Sequence, residues 1–139
     1  MAQHWAAALI GEAWTPAHNC WWLVEHYFRE RHGVAMPRVE VGSLSGQVLD
    51  SVATIKQAAQ ASGWRPVLGK PQADDVLLMR GPMQRRHVGV MVEADGRLGL
   101  LHSDGCMTAH GPRGGVVWQT LAEATADGYG TFEVWRHAA

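Results

Sequence analysis

The 139 residues carry 12 Lys+Arg against 13 Asp+Glu, a formal net charge of -1. So even a balance supplies no basic surface for nucleic acid or anionic lipid, and both are excluded as partners. The length suits one domain, residues 1–139, able to bury a core unaided, and two cysteines without a CxxC pair exclude a disulfide framework and a zinc ribbon.

In chain order, 3–10 predicts a short apolar helix, ended by Gly11 with Pro16 beyond it. No basic leader, long apolar stretch and small-residue cleavage site stand together at the N-terminus, so a secretion signal is not expected. No apolar run approaches the roughly 20 residues of a membrane helix. The expectation is a chain made in the cytoplasm, without membrane insertion, that another assembly must carry to any site outside the cell.

A second helix begins at Cys20. Asn19 is a good N-cap and Gly33 a good stop, and Cys20, Leu23, Val24, Tyr27 and Phe28 share one face while Glu25, Arg29 and Glu30 share the other. Leu44 to Ala61 predicts a third helix, with Val48, Val52, Ile55 and Ala59 on its inner stripe and Gly63 after it. Trp64 to Pro71 is rich in turn residues. Short β-branched or aromatic runs then follow at Val76–Arg80, His87–Glu93, Leu98–Ser103, Val116–Thr120 and Thr131–Arg136. The expected fold class is α+β, with N-terminal helices packed on a central antiparallel sheet.

Cys20 joins two properties. At a helix start, its thiol meets unpaired N–H groups and the positive end of the helix dipole, which favour the thiolate and can also receive an oxyanion. The plainer reading is a small apolar residue opening an amphipathic helix. Cys106 lies in Ser103–Thr108, which reads as a loop, and is given no chemistry.

Asp95-Gly96 is a strong two-residue hairpin turn. With Ala94 paired to Arg97, the count places His102 across from Gly89 and diagonal to His87, with Asp104 opposite His87. Gly89 leaves room between two imidazoles on one face, the arrangement of a base steered by a second polar group. As metal ligands, two histidines with Asp104 lack a characteristic spacing, so no metal and no cofactor is expected.

With these residues identified, the chain resembles the NlpC-type cell-wall cysteine peptidases of the papain-like superfamily, through NCWWLV at Cys20, DDVLLMR, RHVGVMV led by His87, and LLHSDG containing His102. Ile10 to Trp14 and the Trp after the cysteine point to its phage-tail and prophage members. The resemblance implies a papain-like fold and hydrolysis of an amide in peptidoglycan stem peptides through an acyl-enzyme. Cys20 would be the nucleophile, His87 the base and His102 its orienting residue, with Trp14, Asn19 and Trp21 as candidate substrate-binding positions. A phage tail or secretion assembly would deliver the chain to the wall, leaving it virion-associated or wall-delivered. Three features depart from the pattern: no Gly pair stands between Trp14 and Cys20, Ala73-Asp74-Asp75 replaces Gly-Asp, and Asn19 replaces Asp. The rival expectation is a tail-tip or assembly component that keeps the fold and binds partner proteins without catalysis.

Overall fold

The computed structural model describes residues 5–35, 63–82 and 86–137. The helix expected over 44–61 lies outside the described residues. Strands take 47% and helices 23% of what is described, so the described part is sheet first.

Six strands form one antiparallel sheet: β1 (Trp64–Val67), β2 (Val76–Arg80), β3 (Arg86–Ala94), β4 (Arg97–Thr108), β5 (Gly111–Gln119) and β6 (Gly130–His137), in the order β1-β6-β2-β3-β4-β5. Among the described residues the helices are α1 (Cys20–His32), the six-residue α2 (Leu121–Ala126) and one 3-10 stretch over Trp5–Leu9. The expectation of N-terminal helices packed on a sheet in a papain-like α+β fold is therefore corrected. Among the described residues, one full-length helix rests on a six-stranded sheet. The apolar run before Gly11 is too short to recover the cost of helix nucleation, and it closes as 3-10 turns.

The sheet gains strand where turn residues suggested loop. β1 holds Pro66 yet pairs with β6, because β1 is an edge strand and needs no donor on its outer side. β4 runs on past Ser103 to Thr108, so Cys106 stands in a strand opposite Arg113 rather than in a loop. The glycines of this end are demanded by close packing. A Cβ on Gly105 would come within 2.4 Å of Trp14, and one on Gly115 within 2.6 Å of the Glu12 carbonyl, where the N-terminal segment crosses β5 at the Ala13–Gly115 bridge.

α1 starts and stops at the expected residues. Asn19 Oδ1 accepts from Trp22 N–H at 3.0 Å, and Gly33 takes the left-handed conformation at φ 65°. Its buried residues Trp21, Leu23, Val24, Tyr27 and Phe28 pack on Val88, Val90, Val92, Leu101 and Trp135. The opposite sheet face has its own core of Leu77, Met79, Met91, Leu100, Ala124, Tyr129 and Val134. Strand alternation thus assigns even-numbered residues of β3 to the helix side and odd-numbered ones to the far side.

Candidate active site

β3 and β4 hold the register counted from the Asp95-Gly96 turn, from Ala94↔Arg97 through Val90↔Leu101. Both turn residues adopt positive φ, 52° and 76°, as a tight hairpin of this twist requires. A Cβ on Gly89 would lie 3.0 Å from His102 Cβ, so the missing side chain is what admits the two rings. His87 Nε2 and His102 Nδ1 then meet at 2.7 Å. Asp104, the other residue counted onto this face, instead accepts a short hydrogen bond from Tyr129 Oη. The Tyr129 ring lies 4.8 Å from His87 and 4.9 Å from His102, wedging both on the face away from α1.

The thiol arrives from the other side. α1 covers the valine face, while the histidines stand on the methionine and tyrosine face. Met91 spends its N–H and C=O on Asp75 and Asp74, toward β2, so the N–H of Val88, Val90 and Val92 points toward β4. The Val88 N–H faces the Cys20 sulfur and favours its thiolate, beyond the last β3–β4 pair at Val90↔Leu101. The sulfur therefore sits at the opening between the two strands, one residue along from His87. Among the described residues no hydrogen bond joins thiol to imidazole.

The first turn of α1 accounts for its orphan donors. Trp22 N–H goes to Asn19 Oδ1 and Leu23 N–H to the Asn19 carbonyl, while the N–H groups of Cys20 and Trp21 face the sulfur. These donors and Val88 favour a thiolate, but burial outweighs them and pushes the thiol above its ordinary value. The thiolate expected from the helix start alone is thus not the resting state. Burial, with the neighbouring His102 as a lesser cause, drives His87 well below the ordinary histidine value. His102 is lowered by burial too, opposed by its bond to Gln119 and by Asp104 and Asp127. A neutral thiol and two neutral imidazoles follow.

Trp14 is buried against Gly105 of β4, with its backbone N–H donating to the Gly114 carbonyl at 2.9 Å. Asn19 is occupied as the helix cap, its Nδ2 donating to the Pro16 carbonyl at 3.3 Å. Trp21 lies in the core beneath α1. Trp22 instead is half-buried, stacked between His18 at 4.0 Å and His26 at 4.9 Å. Asp74 occupies the left-handed conformation (φ 70°), and its carboxylate ties the loop to α1 by accepting from Tyr27 Oη at 2.7 Å.

Three residues join the site that sequence reasoning did not single out. His102 Nε2 meets Gln119 Oε1 at 2.7 Å, and Gln119 Nε2 donates to Asp127 Oδ2 at 2.9 Å. Gln119 ends β5, and Asp127 and Tyr129 follow α2. The Thr120–Glu123 capping box starts that helix, and Gly128 at φ 99° turns the chain back so that Tyr129 N–H closes on the Ala124 carbonyl at 3.0 Å. Thr-x-x-Glu was the available signal in the sequence; nothing in it indicated that the helix would return beside His102. Among the described residues no group of three or more His, Cys, Asp or Glu is arranged to hold a metal. No helix there is long and apolar enough to cross a membrane.

No family model, curated protein or solved structure matches this chain.

Proposed function

We propose that the protein is a cysteine-type hydrolase that cleaves an amide bond of peptidoglycan stem peptides through a Cys20–His87–His102 acyl-enzyme mechanism. The observation that carries this reading is the His87 Nε2 to His102 Nδ1 bond, together with a helix-start thiol that faces the N–H of Val88, the residue after His87. With Nε2 engaged, the remaining nitrogen of His87 is Nδ1, the one nearer its own backbone and hence nearer the Val88 N–H that faces the sulfur. The choice of stem peptide rests on the motifs around Cys20, His87 and His102 and on their resemblance to NlpC-type peptidases.

Cys20 Sγ attacks the carbonyl carbon as its proton passes to His87 Nδ1, which suits a pair that rests neutral. The N–H groups of Cys20 and Trp21, aimed at the sulfur, are placed to receive the oxygen as it becomes negative. The C–N bond breaks as imidazolium returns the proton to the leaving amine. Water, giving its proton to His87, then attacks the thioester and releases the acid with the free thiol.

Incubation with a panel of defined muropeptides, read by mass spectrometry, tests the reading. One amide should open to a free amine and a free acid with wild-type protein, unaffected by a chelator, and Cys20→Ala should leave every muropeptide intact. Cleavage that persists in folded Cys20→Ala overturns the assignment.

A further inference from the structure

We propose that Gln119 and Asp127 are positioning residues that set the tautomers of both histidines and thereby leave the lone pair of His87 Nδ1 free for the thiol proton. This rests on the roles proposed above for Cys20 and His87. A carboxylate only accepts, so the 2.9 Å contact to Asp127 Oδ2 is made by the amide N–H of Gln119. That turns Gln119 Oε1 toward His102. A carbonyl oxygen also only accepts, so His102 Nε2, at 2.7 Å, carries its hydrogen there.

A neutral imidazole has one N–H, so His102 Nδ1 is an acceptor and His87 Nε2, at 2.7 Å, must donate to it. The lone pair of His87 then lies on Nδ1. Full burial of His102 and half-burial of His87 support the neutral forms on which this order of bonds depends. The relay has few ways to rearrange. His102 is fully buried, Tyr129 packs both rings, and Asp104 is engaged by Tyr129 Oη instead of competing for an imidazole. The fold brings the two outer members together by sending the chain from β5 through the capped α2, so that Gln119 at its entry meets Asp127 at its exit.

Long-range proton–nitrogen NMR of the full chain labelled with 15N-histidine, near neutral pH, reads the tautomers without any substrate. In wild type, His87 and His102 should both be the Nε2–H form. Gln119→Leu should redistribute hydrogen to Nδ1 on both rings and lower kcat on muropeptide more than tenfold with KM nearly unchanged. Gln119→Glu combined with Asp127→Asn, which keeps an acceptor toward His102 and a donor–acceptor contact to position 127, should retain the wild-type tautomers, and Asp127→Asn alone should give an intermediate shift. A wild-type His87 with its hydrogen on Nδ1, or unchanged tautomers in folded Gln119→Leu and Asp127→Asn, overturns the proposal. Tautomers that respond as stated in a protein that hydrolyses nothing uphold the relay and count against the hydrolase reading alone.

Discussion

His102 is fully buried and bonded at both ring nitrogens, whereas Asp104 spends its carboxylate on Tyr129. His102→Ala should therefore lower muropeptide turnover more than about tenfold, roughly 1.4 kcal/mol of transition-state stabilisation, with a smaller loss for Asp104→Ala. Matched kinetics on the two folded variants decide it, and a larger defect for Asp104→Ala would give the orienting role to the carboxylate. At this scale the sequence made the two histidines legible, because alternation and one two-residue turn fix which side chains share a face. It could not disclose that the thiol's ionisation is governed by burial, which depends on everything packed around Cys20. Since burial raises the thiol, its alkylation by iodoacetamide should be slow near neutral pH and keep climbing with pH beyond the ordinary thiol range of about 8.5. A rate already at its plateau below pH 7 would reveal a resting ion pair with His87 instead.

Caps and turns announced their elements clearly. Asn19 and Gly33 bound α1, and Asp95-Gly96 turns β3 into β4, because each satisfies a backbone need that few other residues meet. Removing the cap in Asn19→Ala leaves Trp22 N–H without its acceptor at the turn that holds the thiol. The loss should be about 1 kcal/mol in denaturant unfolding. Gly105→Ala should cost about 1–3 kcal/mol by driving a methyl into Trp14. A wild-type midpoint in Gly105→Ala would mean that Trp14 does not rest on β4 as described. The glycine and proline runs hid β1 and the far half of β4. Their composition signals a turn, while their use here is edge pairing and close backbone approach, which only the tertiary neighbours dictate.

Across the whole molecule, the expectation of N-terminal helices packed on a sheet gives way, among the described residues, to one full-length helix on a six-stranded sheet with a core on each face, and the site spans both. Buried Asp75, 1% exposed, anchors this sheet by accepting from Arg136 Nε and Nη2, each at 2.8 Å, so β6 is tied to the loop entering β2. The two depressed histidines also link stability to pH. An imidazole whose folded value lies below its unfolded value, about 6.5, binds fewer protons in the native state. Their stabilising contribution is therefore present above about pH 6.5 and is lost as pH falls toward the folded values. Thermal unfolding across that range should show Tm dropping on acidification in wild type and dropping less in His87→Gln; equal slopes would place the acid sensitivity elsewhere. The central claim, that Cys20 carries the substrate's acyl group, is tested most directly by acid-quenching a muropeptide reaction and mapping the protein by peptide mass spectrometry. An acyl adduct is expected on the peptide containing Cys20 and none on that containing Cys106; turnover without any adduct, or an adduct on Cys106, would contradict Cys20 as the nucleophile.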